Sequence, residues 1–229
     1  MRQGARWCAL YILEFYASYA RSWPNWQSYP HRLLPCGATS QKVFFMRIIA
    51  GKAKGMRLCA PKGMKVRPTL DRVRESLFNI LGPRVSLSRF LDLYAGSGAN
   101  GIEALSRGAS CAVFVDKDLQ YIRPNLQKTR LDSLAVCVQA TLPGGLEKLG
   151  NLPPFDIIYA DPPFKMVDFA PLLTRIAQHA LLAAGGVIVL EHASRLTLEE
   201  RFGPFQRDRV RTYGETQLSF YLDAPAPIC

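Results

Sequence analysis

From Met46 onward, apolar positions recur in two alternating rhythms. Residues 89–93, 111–116, 135–139, 157–160 and 187–191 are short, nearly unbroken apolar runs, the pattern of strands buried on both faces. Residues 100–107, 119–131 and 169–182, which fall between them, read as helices. Such alternation predicts an α/β fold with a parallel sheet covered on both sides. Residues 205–213 and 216–222 flank Gly214-Glu215 and read as a closing antiparallel hairpin. Ahead of the sheet, 47–51 and 56–60 flank Lys52-Ala53-Lys54-Gly55 as a short basic hairpin, and 61–68 is a loop. Thr69 or Asp71 can cap a helix that runs to Leu81, with Val73, Leu77, Phe78 and Leu81 on one face and Gly82-Pro83 to end it. Residues 1–45 are rich in aromatics and hold no sustained period. Their opening faintly imitates a signal peptide, but Glu14 interrupts the apolar stretch. The chain thus reads as an extension over 1–45, dispensable and outside the natural unit; a basic hairpin-helix arm over 46–89; and the main domain over 90–229.

A length of 229 residues suits one α/β domain with an appendage. The net charge of +11 is unevenly placed. Residues 46–89 carry eleven Lys/Arg against two Asp/Glu, whereas 90–229 carry thirteen against fifteen. A basic arm before a nearly neutral domain fits a polyanionic partner, and a solvated surface accounts for it equally well. Six cysteines (Cys8, Cys36, Cys59, Cys111, Cys137 and Cys229) show no CxxC spacing, so no zinc or redox motif is present and no metal is expected. That usage fits a reducing cytoplasm, and no apolar run approaches a membrane span.

Chemistry concentrates at two strand ends. The first is Asp92-Leu93-Tyr94-Ala95-Gly96-Ser97-Gly98-Ala99-Asn100-Gly101. Gly96 and Gly98 let the backbone turn tightly beside a ligand, and the next helix offers unpaired N–H groups. The string also satisfies G-x-G-x-x-G, so a dinucleotide site competes. Asp116 ends the following strand, where a carboxylate can accept both ribose hydroxyls of NAD or of S-adenosyl-L-methionine alike. Asp92 separates the two: a pyrophosphate would be repelled by it, whereas a sulfonium cofactor with a cationic amine would not. The second is Asp161-Pro162-Pro163-Phe164, after the apolar run 157–160. An exocyclic base amine is a poor nucleophile because its lone pair is delocalised into the ring. A carboxylate and a backbone carbonyl held by proline can take both N–H groups and turn the lone pair toward a methyl donor. Phe164 offers a face on which an extruded base can stack. An ordinary strand-ending turn is the plain alternative, but the carboxyl edge of such a sheet is where ligands bind. In the arm, Arg47, Lys52, Lys54 and Arg57 surround the hairpin, and Lys62, Lys65, Arg67, Arg72 and Arg74 follow as candidate phosphate contacts.

Residues 46–52, the arginine-rich stretch 67–81, the loop 92–101, 161–164 and Tyr213-Gly214-Glu215-Thr216 occur in an order that resembles the RsmD-type family of bacterial methyltransferases. These enzymes modify a guanine N2 in small-subunit (16S) ribosomal RNA, and the resemblance covers roughly 46–222. It implies a seven-stranded Rossmann-like sheet and S-adenosyl-L-methionine as methyl donor. It also implies Asp116 as the ribose-binding acid and Asp161 to Phe164 as the target-base clamp. Where related enzymes carry Asp or Asn against the adenine amine this chain has Gln139, whose longer amide can accept the same bond. Residues 1–45 match nothing in the pattern.

The expected partner is ribosomal RNA or a small-subunit assembly particle, met by a cytoplasmic monomer. The runner-up is a DNA methyltransferase acting on adenine N6 or cytosine N4, whose chemistry is identical; small size and the lack of a target-reading domain count against it. A dinucleotide-binding module is opposed by Asp92 and Asp161-Pro162-Pro163-Phe164, and a non-catalytic RNA-binding protein by the complete pair of motifs.

Overall fold

The computed structural model describes residues 45–60, 68–163 and 166–223, so residues 1–44 of the expected extension 1–45, the loop basic residues Lys62, Lys65 and Arg67, and the stacking candidate Phe164 lie outside the described residues, while Phe45 joins the hairpin. The basic hairpin forms as β1 (Phe45–Arg47) and β2 (Arg57–Cys59), paired antiparallel around a turn at Gly51 to Gly55. α1 (Pro68–Leu81) opens on a proline, whose missing N–H costs nothing in a first turn. It buries Val73, Leu77, Phe78 and Leu81, the predicted face.

β3 (Arg89–Leu93), α2 (Ala99–Ser106), β4 (Cys111–Asp116), α3 (Ile122–Thr129), β5 (Ala135–Gln139), β6 (Phe155–Ala160) and α4 (Ala170–Gln178) then alternate as the pattern predicts. α3 is shorter than expected because of Pro124. A helix begun at residue 119 would hold that ring in its second turn against an earlier carbonyl, whereas a start at Ile122 keeps it in the first turn. β7 (Leu182–Ala193) is longer than expected and starts where the sequence reads as helix. Its pairing with β6 jumps from Phe155–Leu182 to Ile157–Val187, a bulge that Gly185, at φ +73°, allows. β8 (Arg201–Phe202), β9 (Phe205–Tyr213) and β10 (Thr216–Asp223) close the chain.

The strands lie in the order β5-β4-β3-β6-β7-β10-β9-β8, parallel from β5 through β7, with β10 antiparallel between β7 and β9. The seven implied strands are thus joined by an eighth, a two-residue edge piece. The order turns back at β3, with β4 on one side of it and β6 on the other. Right-handed crossovers on either side of such a switch put their helices on opposite faces. Accordingly Phe90, Phe114, Ile157, Tyr159 and Val189 pack in one core with the hairpin and with apolar residues of α1, α2 and α3.

Polar side chains hold the hairpin against that face. Glu103 on α2 has no exposed surface and accepts hydrogen bonds from the Ile49 N–H (2.7 Å), the Ala50 N–H (3.0 Å) and Arg107 Nε (2.6 Å). Ser106 donates to the Ala50 carbonyl and accepts from the Ala53 N–H. Gly51 sits at φ +82°, and a Cβ there would lie 1.9 Å from the Ser106 carbonyl oxygen. Asn125 on α3 pairs with both backbone groups of Cys59 and also donates to the Ser97 carbonyl at 2.9 Å. The arm and the glycine loop are therefore mechanically one piece.

Candidate active site

Both chemical motifs arrive at the carboxyl edge on either side of the switch between β3 and β6, where open α/β sheets bind ligands. After β3 the chain turns through three left-handed residues, Tyr94 (φ +58°), Gly96 (φ +55°) and Gly98 (φ +76°). Tyr94 holds this conformation without glycine's freedom, which costs about 1–2 kcal/mol and marks the loop as shaped for something other than stability. Its hydroxyl reaches Met166 Sδ at 3.7 Å, tying the glycine loop to the loop after β6. Gly101 is needed for packing, since a Cβ there would lie 2.3 Å from Phe114 Cε1.

Asp92 is buried on β3 and accepts the Gly101 N–H at 2.8 Å. Burial pushes its carboxyl up to about 8; the Gly101 bond opposes this and the charge of Asp116 adds to it. Asp116 caps the glycine loop, accepting the Gly96 N–H at 2.8 Å and the Asp118 N–H at 3.0 Å. Gln139 stands in register beside Asp116 at the end of β5, exposed, with its Nε2 donating to the Lys117 carbonyl.

On the other side of the switch, the Asp161 N–H meets the Leu93 carbonyl at 3.4 Å, and the Met166 N–H closes a turn on the Pro163 carbonyl. Asp161, Pro162, Pro163 and Met166 line a cleft together with Phe169, Glu191, His192 and Ala193. Burial pushes the Asp161 carboxyl well above the usual carboxylate range, and Glu191 and Asp92 push it further. Glu191 and Tyr159, which belong to neither sequence motif, are hydrogen-bonded to each other through the Tyr159 hydroxyl. His192 has both ring nitrogens engaged, by Ser219 Oγ and the Ala193 carbonyl, and burial lowers its pKa. The sequence does carry a signal for Glu191: an acid ends the run Val187-Ile188-Val189-Leu190, at the same edge as Asp116 and Asp161.

The basic candidates divide. Lys52, Lys54, Arg57 and Arg72 are exposed, and so is Arg47 although it pairs with Asp71 at 3.4 Å. Arg74 does not join them. It is 3% exposed and turned inward, donating to the Arg47 carbonyl (2.7 Å) and Asp71 (2.8 Å). A guanidinium so enclosed has no route to a phosphate, so Arg74 serves the structure. Lys52 and Lys54 lie by Ser106 at the far end of α2, about 12 Å of helix from the glycine loop, and Arg47 and Arg57 face each other across the hairpin between.

A mainly parallel sheet with a glycine turn and an Asp-Pro-Pro turn at its switch point defines a Rossmann-like domain of the methyltransferase type. The Escherichia coli protein yhhF shares this fold at TM-score 0.67 and 30% identity, over 80% of this chain and all of that one. The chain belongs to the family described as Conserved hypothetical protein 95, which matches residues 46–222. The chain is 39% identical to the Putative rRNA methyltransferase YlbH of Bacillus subtilis over 77% of its own length and 98% of that protein's. It is 36% identical to the Ribosomal RNA small subunit methyltransferase D of Escherichia coli K12, over 64% of this chain and 74% of that one. A Thermus thermophilus 16S rRNA N2 methyltransferase, solved in complex with AdoMet and guanosine, is 28% identical at TM-score 0.56, over 80% of this chain and 50% of that one.

Proposed function

We propose that this protein transfers a methyl group from S-adenosyl-L-methionine to the N2 amine of a guanine in small-subunit ribosomal RNA. One observation carries the reading: Asp161-Pro162 meets the Asp92 to Gly98 loop across the switch point, so an amine clamp and a cofactor cradle share one edge. The related rRNA methyltransferases support rRNA methylation, and the Thermus enzyme's guanosine supports the base.

The residues present fit the cofactor. The left-handed loop clears room for it, Asp116 is fixed where a ribose would be met, and buried Asp92 favours a cation nearby. When bound, the cofactor supplies an electrophilic methyl on sulfonium sulfur. Asp161 and the Pro162 carbonyl then hold the two amine hydrogens and aim the nitrogen lone pair. With Asp92 raised to about 8, its carboxyl is mostly protonated at pH 7 in the free protein. A cation beside it favours the ionised form, so cofactor binding should release protons at pH 7. Calorimetry in buffers of different ionisation enthalpy reads this, and an enthalpy indifferent to buffer would remove the cation from Asp92.

In this reading the exposed basic strip of 46–89 binds phosphates and 90–229 performs the chemistry. Neutralising Lys52, Lys54 and Arg57 together should weaken RNA binding across sequences. For every phosphate no longer neutralised, the log–log salt dependence should also flatten by ~0.7–0.9. An unchanged slope would reject the strip. The activity itself is tested by labelled methyl transfer to small subunits, naked ribosomal RNA and duplex DNA, followed by nucleoside analysis. N2-methylguanosine is expected, whereas label appearing in DNA as N6-methyladenine or N4-methylcytosine would replace the reading with that of a DNA methyltransferase.

A further inference from the structure

We propose that Glu191 is a specificity residue, accepting the ring N1–H of the guanine whose N2 amine is held by Asp161; this rests on the proposed guanine substrate. Register places the two acids together. Ala160 pairs with Leu190, so Asp161 and Glu191 come next as neighbours at the carboxyl edge, and both line one cleft. The same alternation puts them on the face of the sheet that carries Asp92 and Tyr159, which are themselves paired in register.

Glu191 is held in place from behind. The Tyr159 hydroxyl, inside the core, donates to its Oε2, and no hydrogen bond is made to its Oε1 among the described residues. Burial pushes its pKa up, while the Tyr159 hydrogen bond and the charge of the buried Arg74 pull it back toward the carboxylate. Arg74 is on α1 and is itself fixed by Asp71 and the Arg47 carbonyl.

The chemistry of base edges says what a second acceptor beside the clamp selects. In guanine the exocyclic amine lies next to N1–H, a donor. In adenine the amine lies next to N1, and in cytosine next to N3, both acceptors. Asp161 and the Pro162 carbonyl serve an amine on any of the three. A carboxylate oxygen at the neighbouring position completes a hydrogen bond only with guanine and opposes a lone pair on the other two. A site built to hydrogen-bond one group rejects analogues that lack it far more strongly than an apolar site can.

The test uses 2-aminopurine, which keeps an amine on C2 but has a bare acceptor at N1 and lacks O6, so the change in base preference on altering Glu191 is what reads N1. Short RNAs carrying guanine or 2-aminopurine at the methylated position, once labelling has mapped it, are compared for kcat/KM. Wild type should prefer guanine by about a hundredfold or more. Glu191→Gln keeps an oxygen for Tyr159 and turns an amide N–H₂ toward the cleft. It should lose at least tenfold on guanine and narrow or invert the ratio, with cofactor affinity unchanged. If wild type makes N2-methylguanosine yet accepts both bases equally, or if Glu191→Gln keeps the wild-type ratio, Glu191 does not read N1–H and the guanine-N2 activity stands without it. If wild type makes no N2-methylguanosine at all, the proposed function fails first. Should Glu191→Gln not fold, Glu191→Asp is compared with wild type in the same way: a narrowed ratio supports the assignment and an unchanged one overturns it.

Discussion

Replacing Asp161 with alanine should abolish methyl transfer while making the protein no less stable at neutral pH. The carboxyl is half-buried at the cleft, receives no hydrogen bond among the described residues, and is set near Glu191 and Asp92. A protein gains nothing in stability from an acid placed so; desolvation and the neighbouring acids oppose its ionisation. The sign follows directly. In the unfolded chain Asp161 loses its proton near the ordinary aspartate value, while in the folded chain it holds it well above that. Ionisation therefore favours the unfolded state as pH rises between the two, and removing the group relieves that cost. Activity should move the other way, because in the proposed clamp Asp161 and the Pro162 carbonyl take the amine hydrogens. A loss of about a hundred- to a thousandfold in kcat is expected, the scale of removing a preorganised electrostatic interaction. Cofactor affinity should stay within a few-fold, since Asp92, Gly96 and Asp116 are untouched. Single-turnover rates, calorimetry and thermal melts at pH 7 check the three parts. Full turnover by Asp161→Ala would end the clamp mechanism; a large fall in melting temperature would show that the carboxylate is structural.

Glu103→Ala should give the largest loss of stability. Glu103 is inaccessible to solvent and meets two backbone N–H groups of the hairpin and the Arg107 guanidinium. Truncation leaves all three donors without it inside the structure, a change worth about 3–5 kcal/mol. For a domain of this size that is a fall of roughly 10 °C or more in melting temperature. Function should divide as well. The hairpin loses its mount, so RNA affinity should drop at least tenfold, while S-adenosyl-L-methionine, held from the other end of α2, should still bind. Glu103→Gln keeps an acceptor for one N–H and should recover part of both losses. An unaltered melting curve for Glu103→Ala would show that the hairpin is held by its apolar packing alone.

Much of the fold is legible in the sequence because a parallel sheet buries its strands on both faces. β3, β4 and β5 are local runs of apolar residues, and they span the residues the pattern predicts. The two motifs are legible for a related reason: glycine where the backbone turns left-handed, and proline where a loop must be rigid, are local requirements. α3 and β7 depart from the pattern at their ends because propensity alone ignores position. Pro124 shortens the helix, and Gly185 bulges a strand without ending it.

What the sequence alone determined is the α/β alternation, the glycine and Asp-Pro-Pro turns, and the charge of the arm, because each is set by neighbours along the chain. What only the tertiary structure decided is which polar residues turn inward. Glu103, Asn125, Arg74 and Glu191 read as ordinary surface or strand-end side chains. They are buried because backbone groups of the hairpin or a tyrosine hydroxyl arrive from far along the chain, 32 to 66 residues away in the case of Tyr159, Glu103 and Asn125. A charged or amide side chain enters a core only where its partners are already assembled, and that assembly is a property of three dimensions that no local window of sequence contains.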